Sequence, residues 1–161
     1  MTDPDILEKL FLGEYYHYRR KIVVEWGHCD PAGIVYHPRF IEYLDGSVIG
    51  LFETALGMRK YAMREAYGMY GIPIVDLNVR FVGACRFGDE IEAHTAITAM
   101  NRSSMHLRVI LTRQGRTMVD CSQMRVWCGL NPNNPSELKA VEIPPEVRRI
   151  LTRRAPSYAT A

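Results

Sequence analysis

An α+β fold is predicted by three features of this chain. One strongly apolar helical pattern, "PRFIEYLDGSVIGLFETAL", stands alone in the first third. From Ile72 onward the apolar period changes from three or four residues to two, over four consecutive segments. Turn residues, not helices, separate the last three of those segments. A helix with so wide an apolar stripe must be covered, and a single antiparallel sheet of about five strands is what the rest of the chain can supply.

The elements follow in order. Residues 1–20 form an N-terminal arm, in which "DILEKLFLGEYYHYRR" reads as a short helix or an irregular stretch broken at Gly13. "KIVVEW" (Lys21 to Trp26) is rich in β-branched residues and ends at Gly27, the signature of a strand. The central helix begins at Pro38, whose missing N–H costs nothing at a first helical position, and stops at Gly57. Phe40, Ile41, Leu44, Val48, Leu51, Phe52 and Ala55 form its stripe. Gly46 and Gly50 each cost about 1 kcal/mol against Ala inside a helix, so a close approach by another backbone is expected there. "MRKYAMREAYGMYG" (Met58 to Gly71) holds a second short helix or an ordered loop.

"IPIVDLNVRFVGACRF", "DEIEAHTAITAM", "SMHLRVILTR" and "RTMVDCSQMRVWCGL" are the four further strands, with turns at Gly88-Asp89, Asn101-Arg102-Ser103 and Gln114-Gly115. The last three are expected to pair as an antiparallel meander. "NPNNPSE" (Asn131 to Glu137) reads as a loop and "PPEVRRILTRR" as a short terminal helix. The main domain therefore covers 21–144, with a short helix and tail over 145–161. His94 and His106 fall in strands and read as structural, and Trp26 and Trp127 as packing residues.

Composition narrows the function classes. The net charge of +2 gives no case for nucleic acid, despite a locally basic tail from Arg148 to Arg154. No apolar run approaches the roughly 18 residues of a membrane span, and the first residues have no secretory pattern. Four cysteines without a CxxC pair suggest reduced thiols and a cytoplasmic protein. His28, Cys29, Asp30 and His37 match no common zinc spacing. Neighbours on an extended segment face opposite ways, which disfavours a Cys29–His28 nucleophilic pair.

Two acids stand out. Asp30 lies between a strand-like and a helix-like run in "GHCDPAGIVYHP", as a turn-capping residue or as a reacting carboxylate. Asp45 lies on or beside the apolar stripe, where a buried carboxylate needs a partner. It either sits in water at the stripe's edge or faces a pocket.

"HCDPAGIVYHPRFIEYLD" resembles the 4-hydroxybenzoyl-CoA thioesterase family of hotdog-fold enzymes. "GIPIVDLNVRFV", the Gly88-Asp89 turn, "MRVWCG" and "KAVEIP" extend the resemblance over roughly Lys21 to Pro144. It implies a hotdog fold, in which the sheet wraps the central helix, and a homodimer or homotetramer with active sites between protomers. It implies hydrolysis of an aromatic, hydroxybenzoyl-type CoA thioester without metal or cofactor. Asp30 would then be nucleophile or general base, and the backbone N–H of His37 would meet the thioester oxygen, its imidazole facing solvent. Asp45 would accept a hydrogen bond from the acyl hydroxyl, Tyr61 would line the same pocket, and Arg102 and Lys139 would meet the nucleotide phosphates. The chain departs from the family pattern at Tyr61 (a Trp there), Lys139 (an Arg), Asn101 and Ser103 (basic residues), and His28 (an acid). The other readings of the same residues are a thioesterase for short or medium aliphatic acyl-CoA or acyl carrier protein, and a non-catalytic acyl-CoA-binding module.

Overall fold

Two periodicities divide the chain into a layer of helix and a layer of sheet. The computed structural model describes residues 4–152, in the order α1 (Pro4–Phe11), β1 (His17–Val23), a short 3-10 turn (Trp26–His28), α2 (His37–Leu56), α3 (Lys60–Tyr67), β2 (Ile74–Phe81), β3 (Glu90–Met100), β4 (Ser104–Arg113), β5 (Arg116–Val126), β6 (Cys128–Asn131), β7 (Asn134–Ala140) and α4 (Pro145–Leu151). The main sheet has five strands in the order β1-β3-β4-β5-β2, and each neighbouring pair is antiparallel. The expected meander is β3-β4-β5. The α2 helix lies across the inner face of this sheet, which is the hotdog arrangement of one long helix wrapped by strands.

Alternation sets which side chains meet the helix. Ile91, Ala93 and Ile97 of β3, Leu107, Val109 and Leu111 of β4, and Val119 and Cys121 of β5 are buried in one core with Phe40, Leu44, Val48, Leu51 and Phe52 of α2. The opposite face carries His94, Ile110 and Ala96, and α1 packs over it through Leu10. Here Phe11 stacks edge-on to the His94 ring at 5.6 Å.

Several local expectations change. The first strand starts at His17, not Lys21, because residues 17–23 pair continuously with β3. Gly46 and Gly50 do face a close approach, but side chains of β1 make it. A Cβ at Gly50 would lie 2.7 Å from the Tyr18 ring, and one at Gly46 2.9 Å from the Arg20 guanidinium. Asn131 to Glu137 is not a loop, since Asn134–Ala140 pairs with β6 in a small second sheet. Trp127 is fully buried, whereas Trp26 is 78% exposed and packs little. Among the described residues no helix is long and apolar enough to cross a membrane. Arg153 and Arg154 of the expected terminal helix lie outside the described residues.

Candidate active site

The segment before α2 folds back on itself. Cys29 and Val35 form an isolated antiparallel bridge, the Tyr36 N–H donates to His28 O at 3.0 Å, and the Asp30 N–H donates to Ile34 O at 2.9 Å. Between these arms Gly33 N–H returns to Asp30 O at 2.9 Å, and Gly33 takes φ +74°, a value that favours glycine. Asp30 Oδ1 accepts the Ala32 N–H at 2.8 Å. Asp30 thus does cap its own turn, yet its half-buried carboxylate keeps a second oxygen. The turn rests on the segment before β3, with Val35 N–H donating to Cys85 O at 2.8 Å. The Arg86 guanidinium comes within 3.9 Å of where a Gly33 side chain would begin, so a cation stands beside the turn.

His37 opens α2, with Pro38 next to it and Tyr36 as the residue before. Its N–H precedes the first intrahelical bond, and no acceptor among the described residues receives it. The first turn of this 20-residue helix holds no acidic side chain, so nothing on the helix itself offsets the partial positive charge there. The His37 ring is exposed and sits 6.4 Å, edge-on, from Phe81 at the end of β2.

His28 was the odd residue of the motif, and its contacts explain it. Its Nδ1 lies 3.1 Å from the Glu25 N–H and 2.7 Å from Tyr43 Oη. A backbone N–H can only donate, so Nδ1 is the acceptor and the neutral ring carries its proton on Nε2. Burial pushes the Tyr43 hydroxyl up to about 12, with the Cys29 and Cys85 thiols adding to it, so this hydroxyl remains a donor. His28 therefore ties the Asp30 turn to α2. Burial also pushes the thiols of Cys85 and Cys121 up, to about 11 and about 12. Neither has the thiolate character a nucleophile needs.

Asp45 has a partner that the sequence reading lacked. Its Oδ1 accepts from Arg125 Nη2 at 2.7 Å, and the Arg125 side chain is only 3% exposed against 50% for Asp45. Inner-face positions of β5 run Val119, Cys121, Gln123, Arg125, so a charged residue on the inward phase of the strand was the available signal.

The remaining candidates lie apart from this cluster. Tyr61 is on α3 and 82% exposed, with no bond or ring contact to Asp30, His37 or Asp45 among the described residues. Arg102, exposed in the β3–β4 turn, pairs with Glu142 at 3.6 Å. Lys139 is exposed on β7, opposite Gly129. Hydrogen bonds from Ile143 N–H to Arg102 O and from Val141 N–H to Trp127 O bring the turn and the segment after β7 to one end of the molecule. Arg148 of α4 joins them, its Nη2 donating to Asn101 O at 2.5 Å. It is a third cation at that end, which the reading of the turn alone had missed.

Comparison with known proteins places the fold in a family. Residues 24–151 match the model of the thioesterase-like superfamily. A 4-hydroxybenzoyl-CoA thioesterase of Pseudomonas sp. (strain CBS-3) is 29% identical over 127 residues, covering 75% of this chain and 87% of that protein. A solved 4-hydroxybenzoyl-CoA thioesterase mutant, complexed with 4-hydroxybenzoyl-CoA, superposes with a TM-score of 0.76 at 26% identity, over 84% of this chain and 98% of the other. A gentisyl-coenzyme A thioesterase superposes with a TM-score of 0.70, also at 26% identity, over 84% of this chain and all (100%) of that one. A match that starts at Val24 and runs to Leu151 takes in the Asp30 turn, α2 and four of the five strands of the main sheet, and on that ground the chain belongs to the thioesterase-like superfamily of hotdog enzymes.

Proposed function

We propose that this protein hydrolyses a hydroxylated aromatic CoA thioester to the free acid and coenzyme A. The observation that carries the reading is the closed turn of residues 29–35, which holds a carboxylate at the entry to a long helix whose first N–H is unused. The relatives named above act on 4-hydroxybenzoyl and gentisyl thioesters, both aromatic acyl groups bearing hydroxyls.

In this reading the thioester oxygen rests on the His37 N–H and gains stabilisation from the helix N-terminus as negative charge develops on it. Asp30 acts at the acyl carbon by one of two routes. As nucleophile it forms a mixed anhydride and expels the CoA thiolate, and water then cleaves the anhydride. As general base it takes a proton from water, whose oxygen attacks the acyl carbon directly. Both routes consume one water and release acid and thiol. Arg102 and Lys139 meet the phosphates of coenzyme A, with Tyr61 and Asp45 at the acyl group. The pairing of Arg102 with Glu142 leaves this end less positive than three cations alone would make it.

A second protomer belongs to the proposal. Tyr61 and, on β2, Ile74, Val75, Leu77 and Phe81 are large, apolar or aromatic, and exposed in the single chain. A homodimer joined there would bury them and bring the acyl pocket together from two copies.

The test is thiol release from a panel of CoA esters. Asp30→Asn should lower kcat on 4-hydroxybenzoyl-CoA by about 10²–10⁴-fold, with unchanged thermal unfolding. Comparable turnover by the variant would remove Asp30 from the chemistry. Faster hydrolysis of butanoyl or octanoyl esters than of any aryl ester would assign the pocket to aliphatic substrates. Binding of CoA esters without turnover of any would make the protein a binding module.

A further inference from the structure

We propose that Arg125 is a positioning residue that fixes Asp45 as the acceptor for an acyl hydroxyl, and so sets the preference for hydroxylated over unsubstituted aryl thioesters. The inference rests on the reading of Asp45 just given. Arg125 sits on the inner face of β5, where its guanidinium is held at three points. Nε donates to Gln123 Oε1 at 2.7 Å, Nη1 to Ile72 O at 3.3 Å, and Nη2 to Asp45 Oδ1 at 2.7 Å. Gln123 is itself buried, so the fork is anchored within the sheet before it reaches the helix.

The pair is asymmetric. Its cation is sealed in the core, whereas half of the Asp45 side chain is open. A sealed cation needs an anion beside it, and losing one partner of such a pair is far costlier than forming the pair is rewarding. That requirement accounts for one carboxylate oxygen, Oδ1. No hydrogen bond to Oδ2 occurs among the described residues, and a carboxylate only accepts. An acceptor in a fixed orientation favours an acyl group that brings a donor, and gives nothing to a bare ring or a methyl ether. An Asp swinging freely on the helix surface would lose rotamer freedom on binding and discriminate less. The planar fork of Arg125 removes that freedom beforehand.

The experiment compares kcat/KM for 4-hydroxybenzoyl-, benzoyl- and 4-methoxybenzoyl-CoA in the full-length protein, Asp45→Asn, Arg125→Met, Arg125→Lys and the Asp45→Asn/Arg125→Met double variant. The native protein should favour the hydroxyl ester by about ten- to a hundredfold, the value of one hydrogen bond to a charged group. Asp45→Asn and Arg125→Met should each bring that ratio close to one, and the double variant should lose no more than either alone. Arg125→Lys keeps the charge without the fork and should fall between. A ratio left unchanged in Arg125→Met, or losses that multiply in the double variant, would overturn the proposal. If Arg125→Met does not fold, a native ratio in Arg125→Lys overturns it equally. Aryl thioesters hydrolysed without regard to the hydroxyl would sink this inference and leave thioester hydrolysis standing. No aryl ester hydrolysed at all would sink the proposed function, and this inference with it.

Discussion

At His37 the proposed chemistry depends on the backbone and not on the side chain, and that makes an unusual prediction. His37→Ala keeps the N–H and removes only an exposed ring, so kcat should stay within a few-fold of the native value. His37→Pro removes the N–H at a helix position where proline is tolerated, so α2 should persist while kcat falls by about 10²–10³, as for loss of an oxyanion donor. Circular dichroism with steady-state kinetics on both variants checks this, and equal losses in the two would place the donor elsewhere. His28 is likewise defined by its contacts and not by its place in the motif. From sequence it fitted neither a zinc site nor a nucleophilic pair and had no assigned role, because adjacency in the chain hides what a side chain meets across the fold. The Nδ1 contact to Tyr43, fifteen residues on, is made only once α2 has packed against the turn.

Elements were legible where one period governed them. The stripe from Phe40 to Ala55 marked α2 to within a residue of its observed start at His37, and period-two runs marked β3, β4 and β5. Segments whose pairing depends on a distant partner were harder. β7 is written in Asn, Pro and Ser, residues that signal turns, yet its backbone is drawn into a ladder by β6. Arg125 and Asp45 are eighty residues apart, so their pairing shows only in the phases of β5 and α2 taken together. The α1 helix has no such partner in the core and lies instead on the outer sheet face, over His94. Burial holds the His94 imidazole down at about 4, against an opposing pull from Glu92 and with Arg19 lowering it further. Its Nε2 meets Thr112 Oγ1 at 3.1 Å. A histidine depressed in the fold binds its proton more readily when unfolded, so it leaves stability intact above about pH 6.5 and erodes it as pH falls towards 4. The full loss is roughly 3 kcal/mol. Urea unfolding of the native protein and His94→Gln, at pH 7.5 and pH 4.5, should show a steeper decline in the native protein. Parallel declines would mean that other groups dominate.

Taken whole, the single chain leaves its sheet unfinished on one side. Among the described residues β2 is an edge strand, hydrogen-bonded only to β5, and nearly all of it is exposed. Ile74, Val75, Leu77, Phe81 and Val82 are accessible there, and an exposed, apolar edge strand is an association surface unless it is covered. A second copy brought up by a twofold axis would present the same edge to itself, which is the self-complementary contact that closed dimers use. Phe81 connects this edge to the site, since its ring packs against Phe40 at 5.8 Å and faces His37 at the mouth of α2. Oligomer and activity should therefore fail together. Val75→Glu places a charge on the edge, far from Phe81 in the strand, and should shift sedimentation from dimer or tetramer to monomer at micromolar concentration. Its kcat/KM should fall with the dimer fraction and recover as protein concentration is raised. A variant that sediments as a monomer yet hydrolyses its substrate at the native rate would show that each chain carries a complete site, and the shared-pocket reading would then be wrong.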